Sequence, residues 1–175
     1  MDLKKIPHDP KEIIAVVDSK DRVIGRHARK NHAGGRLHRE ASVLILNLKG
    51  EILLQTRRDN GRLDYSASGH FPYNHTYLQG AVRETKEELG LSLAKTKFRE
   101  IMKKRMSHTY RGVKNDRFIT LYETKGNYTL KDFKIDREEV EAIRFYSVDK
   151  IRNILNRLRE KGGFKQMMEL YLDRR

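Results

Sequence analysis

Cysteine is absent from the chain, prolines number only 3, and acidic residues are outnumbered, 24 Asp and Glu against 38 Lys and Arg. Each shortage excludes something. Without cysteine there are no disulfides, no thiolate zinc sites and no thiol nucleophile, a composition that suits a reducing compartment. No apolar run approaches the roughly 18 residues of a membrane span, and MDLKKIPHDPKEII lacks the apolar core and small-residue cleavage site of a secretory signal. A cytoplasmic protein with no membrane association is the expectation. With so few prolines, chain punctuation falls mainly to glycine.

What remains is a wet, basic, globular composition. The 175 residues suit one domain spanning 1–175, and 37% hydrophobic with 35% charged residues reads as a folded chain with a polar surface. The net charge of +14 fits nucleic acid, a phosphorylated small molecule, or solubility alone. Basic residues crowd two stretches, Lys20 to Glu40 and Lys95 to Arg117, whereas acids gather at Glu84, Glu87 and Glu88. Oligomeric state is not readable.

Pattern and turn residues give an element order. Glu12 to Val17 (EIIAVV) and Arg22 to Ile24 read as short strands around a turn at Ser19-Lys20-Asp21. Ala41 to Leu48 and Glu51 to Arg57 read as a β-hairpin turned at Lys49-Gly50. Arg58 to Ser68 reads as a polar loop, and Thr76 to Leu89 as a helix stopped by Gly90. Further strands are expected at Phe98 to Met106, Arg117 to Glu123 and Val140 to Val148. Asp149 is placed to cap a helix from about Lys150 to Glu160, and a last helix runs from Gly162-Gly163 to about Leu172. This order predicts an α/β or α+β fold, a mixed sheet with helices packed on it.

At about 100° per residue, Leu78, Val82 and Leu89 form a stripe expected to face the core, with Glu84, Glu87 and Glu88 on a separate arc. Like charges at i and i+4 destabilise an isolated helix by about 0.2–0.5 kcal/mol per pair. A divalent cation removes that penalty, because Mg²⁺ and Mn²⁺ prefer hard oxygen ligands. Arg83, one turn before Glu87, can hold a carboxylate in a fixed orientation. Taken alone, RETKEELG also fits a solvated acidic face with one salt bridge.

The surrounding frame resembles the signature of the Nudix hydrolases: glycine, five residues, glutamate, seven residues, then REUxEExGU with U bulky and aliphatic. Gly69, Arg83, Glu84, Glu87, Glu88, Gly90 and Leu91 match in type and spacing, with no gap. His75 stands where the family has its first glutamate, and Thr85 at an aliphatic position. In the family that glutamate supports the loop by pairing with the arginine. A neutral His75 can still accept a hydrogen bond from Arg83, whereas a protonated one repels it. The resemblance implies a Nudix-type mixed β-sheet sandwiched between α-helices.

Beyond the signature, Glu12 to Val148 resembles the branch of that family containing isopentenyl-diphosphate isomerases. The features are Val17-Asp18, Val23-Ile24-Gly25, His38-Arg39 and the stretch Gly50 to Arg57. His32, His38 and His70 stand where that branch has its metal-binding histidines. Ser68, however, stands in place of the isomerase cysteine, and Lys114-Asn115-Asp116 falls where two glutamates are expected. Isomerisation without the proton-transfer thiol is not expected.

The resemblance implies hydrolysis of a diphosphate linkage in a nucleoside-diphosphate-linked or related phosphorylated small molecule. Glu84, Glu87 and Glu88 would hold Mg²⁺ or Mn²⁺, joined by the Gly69 carbonyl. Glu84 doubles as base and Arg83 orients the carboxylates; Arg57, Arg58 and Arg62 are the candidates for substrate phosphates. A second reading, a nucleic-acid binder or RNA-end hydrolase on the same fold, rests on the basic 95–117 stretch with Tyr110 and Phe118 as stacking candidates. A third is a non-catalytic member of the fold, motivated by His75.

Overall fold

The computed structural model describes residues 11–29, 34–110, 112–158 and 162–175, so His32 lies outside the described residues. Among the described residues, nine strands form one mixed sheet: β1 (Ile13–Val17), β2 (Val23–Ala28), β3 (His38–Leu46), β4 (Ile52–Arg57), β5 (Leu63–Asp64), β6 (Ala67–Gly69), β7 (Arg99–Tyr110), β8 (Val113–Lys125) and β9 (Val140–Tyr146). Three α-helices of ten residues or more, again among the described residues, accompany it: α1 (Tyr77–Leu89), α2 (Val148–Arg157) and α3 (Gly163–Leu172).

Strand β3 is the organiser. One of its edges runs parallel to β8 from His38↔Arg117 to Leu46↔Lys125. Its antiparallel partners change along its length: β4 at Ile45 and Leu46, β6 at Ala41 to Val43, and β1 at His38. Side chains alternate across a strand, so Ala41, Val43 and Ile45 enter one apolar core and Leu44 and Leu46 another. Helix α1 closes the first core with Tyr77, Ala81 and Leu89. Helices α2 and α3 close the second with Ile151, Leu155, Met167, Met168 and Tyr171. The expected sheet between helices is what forms.

Local chemistry explains most element boundaries. Thr76 caps α1 in a capping box, its hydroxyl accepting from Gln79 N at 3.2 Å while Gln79 Oε1 accepts from Thr76 N at 2.8 Å. Gly90 ends α1 in the left-handed region at φ 66. Helix α2 starts earlier than its sequence suggests: Ser147, not Asp149, is the cap, accepting from Lys150 N at 3.3 Å. Asp149 sits instead in the first turn. The segment expected to be a polar loop after Arg57 contains β5 and β6, whose short pairings with β4 and β3 carry too few residues to show a period. Among the described residues, no helix is long and apolar enough to cross a membrane.

Candidate active site on helix α1

The carboxylates of α1 are not on a solvated arc. The buried face of the helix is Tyr77, Gly80, Ala81, Glu84, Thr85, Glu88 and Leu89, while Leu78 and Val82 are half-buried at its flank. Glu84 is 5% and Glu88 3% exposed. Apolar periodicity placed the core stripe one flank away from the true centre of the buried face. Two small residues account for the difference. A β-carbon on Gly80 would stand 2.4 Å from Phe71 Cδ1, and one on Gly69 would stand 2.5 Å from Glu84 Oε2. The helix therefore settles closely on Phe71 and on β6, and its acidic side goes under with it.

Each carboxylate has a different environment. Glu88 Oε2 accepts from Gln55 Nε2 at 3.1 Å and from Ser68 N at 3.0 Å, which ties the helix to β4 and β6. Burial, reinforced by the charge of Glu84, pushes its pKa well above the usual carboxylate range, and the Ser68 amide opposes that rise. Glu84 accepts no hydrogen bond among the described residues. Burial and then the negative charge of Glu87 raise its pKa to about 8, against the opposing charges of Arg29 and Arg83. Glu87, at the rim, accepts from Arg83 Nε at 3.0 Å. Among the described residues, no three acidic or imidazole side chains are grouped as they stand to hold a metal ion.

Several charged neighbours come from distant sequence. The second face of the Arg83 guanidinium is taken by Glu12, just ahead of β1, through Nη1; His75 is not its partner. The Nδ1 of His75 is buried and has no hydrogen bond among the described residues. Glu139, just before β9, acts on both Glu84 and Glu88, raising their pKa values, and Asp64 acts on Glu88. Glu12, Gln55, Asp64 and Glu139 escaped the sequence reading because only the sheet brings them to α1. Glu139 lies in DREEV, which carries no periodic or motif signal of its own.

The three candidate phosphate-binding arginines differ. Arg57 donates to Asp59 from Nε at 3.0 Å and Nη2 at 3.1 Å, and to Asp64 from Nη1 at 3.2 Å. Arg58 and Arg62 have exposed side chains. Arg58 N donates to Glu139 O at 2.9 Å, which keeps this loop beside the acidic cluster.

The histidine group is brought together only in part. His38 and His70 are buried with stacked rings whose centroids are 4.8 Å apart; His32 lies outside the described residues. Ser68 is buried in β6, and Asp116 is held by Arg105 at 2.7 Å and Lys114 at 3.1 Å. In the basic 95–117 stretch, Arg99, Lys103, Arg105, Lys114 and Arg117 are all in ion pairs. Phe118, expected to be free for stacking, packs against the core under α1, because the parallel register with β3 turns it toward that face.

Comparison with known proteins bears on the family and the fold. The NUDIX domain family matches residues 36–170. An uncharacterised Nudix hydrolase of Listeria innocua is 33% identical over 147 residues, covering 78% of this chain and 80% of the relative. Human isopentenyl-diphosphate delta-isomerase 2 is 29% identical, covering 83% and 74%. Nudix hydrolase 3 of Arabidopsis thaliana is also 29% identical, covering 72% of this chain, but the matched region spans only 18% of that larger protein. In three dimensions, DR0079 from Deinococcus radiodurans superposes with a TM-score of 0.69 at 20% identity, covering 90% of this chain and 98% of that one. A signature glycine pressed on a signature glutamate, within a match spanning most of the chain, leads to one conclusion: the chain belongs to the Nudix family.

Proposed function

We propose that the chain is a single-domain, metal-dependent pyrophosphohydrolase. It cleaves a diphosphate linkage in a nucleoside-diphosphate-linked or related phosphorylated small molecule. The observation that carries this reading is Glu84: a buried carboxylate with no hydrogen-bond donor among the described residues, repelled by Glu87 and seated against Gly69. Leaving a carboxylate in that state is unfavourable, and a hard divalent cation is the partner its chemistry calls for. Mg²⁺ or Mn²⁺ would be held by Glu84, Glu87 and Glu88, with the Gly69 carbonyl adjoining. When bound, the cation supplies a water of lowered pKa and charge to offset the departing phosphate.

The remaining roles belong to the chain. Glu84 accepts the proton of the attacking water as its oxygen bonds to phosphorus and the bridging P–O bond breaks, the leaving phosphate taking that electron pair. Arg83 fixes Glu87, and Gln55 and the Ser68 amide fix Glu88. Arg58 and Arg62 are the candidates to meet substrate phosphates. Arg57, already engaged by two aspartates, shapes their loop. Isomerase chemistry is not proposed, since Ser68 occupies the thiol position and the chain has no cysteine. A cytoplasmic setting accords with that composition.

The test is turnover of nucleoside di- and triphosphates, nucleotide sugars and dinucleotides with Mg²⁺ or Mn²⁺, beside a Glu87→Gln control. Metal-dependent cleavage of at least one compound, lost in the control, is expected. Rates equal to the control on every compound point to a non-catalytic member of the fold.

A further inference from the structure

The family signature has a carboxylate at position 75 to support the arginine at 83, and this chain has His75 there. Arg83 is nevertheless not left without a carboxylate. Glu12, 71 positions earlier, pairs with its Nη1, while Nε of the same guanidinium goes to Glu87 at 3.0 Å. The Glu12 side chain is 9% exposed, and its other oxygen receives Arg29 Nη1 at 3.5 Å. The Arg29 amide also donates to Glu12 O at 2.7 Å. Glu12 is therefore clasped from two sides, and both guanidiniums it holds act on Glu84.

The backbone explains how residue 12 reaches a site centred on residue 84. Tyr73 N donates to Ile13 O at 2.9 Å, and Ile14 bridges to Pro72. The segment entering β1 thus lies along the loop that leads from Gly69 to the α1 cap, and it delivers Glu12 beside that loop. His75 sits in the same loop, and its buried Nδ1 finds no hydrogen bond among the described residues, Arg83 included, so the histidine does not do the arginine-supporting work.

We infer that Glu12 is a positioning residue that replaces, from outside the signature, the carboxylate missing at position 75. By holding Arg83 it aims that guanidinium at Glu87, and so sets the geometry of the metal-binding acids. This rests on the metal reading given above.

The test is a rescue. Mn²⁺ binding is measured by electron paramagnetic resonance on the whole chain without substrate, and the Arg83 Nε–H resonance is followed by NMR, in wild type, Glu12→Gln and Glu12→Gln/His75→Glu. Outer partners of ligating carboxylates typically contribute about 10–100-fold in metal affinity. Glu12→Gln is expected to weaken Mn²⁺ binding by about ten-fold or more and to shift the Arg83 resonance. Adding His75→Glu is expected to recover most of both, since it returns a carboxylate to the same guanidinium. A structural loss unrelated to Arg83 has no reason to be repaired at position 75. Unchanged Mn²⁺ affinity in Glu12→Gln, or a double variant no better than the single one, overturns the inference. If Glu12→Gln does not fold, Glu12→Asp with the same His75→Glu rescue is read by the same two measurements. Absence of Mn²⁺ binding in wild type overturns the metal reading instead, and the Glu12 pairing is then decided by the Arg83 resonance alone: unmoved in Glu12→Gln, it overturns the pairing.

Discussion

Gly69 and Glu84 are in contact so close that no side chain fits between them: a β-carbon at 69 would lie 2.5 Å from one carboxylate oxygen and 2.9 Å from the other. The glycine is needed for space and not for an unusual backbone angle. Gly69→Ala is therefore expected to displace Glu84 while leaving the sheet intact. Mg²⁺-dependent turnover should fall at least about ten-fold, comparable to the loss of an outer partner, with little change in far-UV circular dichroism. Wild-type turnover in Gly69→Ala contradicts the packing described.

Gly80 makes the corresponding contact with Phe71. Alanine ordinarily stabilises a helix interior by about 1 kcal/mol over glycine, yet here the added carbon would stand 2.4 Å from the ring. Overpacking a core typically costs about 1–3 kcal/mol. Gly80→Ala is expected to lower Tm by a few degrees, using about 2–4 °C per kcal/mol for a chain of this size. A raised Tm contradicts the close approach.

Asp21 joins four elements. Its carboxylate accepts from Arg39 Nε at 2.7 Å, from Lys103 Nζ at 2.7 Å, and from the Tyr77 hydroxyl at 3.0 Å, and its backbone is left-handed at φ 63. Burial acts to raise its pKa, but Lys103 and Arg39 outweigh it, so the folded pKa lies below the ordinary value. Such a group adds stability above the unfolded pKa and loses it as pH falls through the folded one. Asp21→Asn, which tolerates the same backbone, is expected to be less stable than wild type at pH 7. Thermal denaturation across pH should show the gap closing below about pH 4. A gap independent of pH contradicts this role.

The loop arginines should separate by role. Arg58→Ala and Arg62→Ala are expected to raise KM for a diphosphate substrate with kcat little changed, the signature of lost uniform binding. Arg57→Ala, which removes the ion pairs from Arg57 to Asp59 and Asp64, is expected to lower Tm as well. Steady-state kinetics beside a melting curve distinguishes these outcomes; equal KM in all three removes the loop from the substrate site.

Much of the fold was legible because its signals are local. The Thr76–Gln79 capping box, Gly90 and the Gly50 turn fix their elements with residues a few positions away. Glu84 stands out in the sequence as a candidate carboxylate ligand, but nothing there shows that it is buried. Leu78 and Val82 dominate the apolar period of α1, whereas the small residues Gly69 and Gly80 decide how deep the helix sits. Glu12 and Glu139 were illegible for a further reason: their proximity to α1 is made by strand pairing across tens of residues. Ser147 displaced Asp149 as the α2 cap within the ±2-residue range over which helix starts shift.

The central claim is that the acidic face of α1 is a metal platform for diphosphate hydrolysis. It is tested most directly by the Mg²⁺ dependence of the initial rate, on whichever panel compound wild type cleaves, for wild type and for Glu84→Gln, Glu87→Gln and Glu88→Gln. Expected is saturable activation in wild type, with losses in the glutamine variants exceeding the roughly 10–100-fold typical of outer partners, most severely at Glu84. Cleavage that persists without divalent metal, or glutamine variants that match wild type, would contradict it.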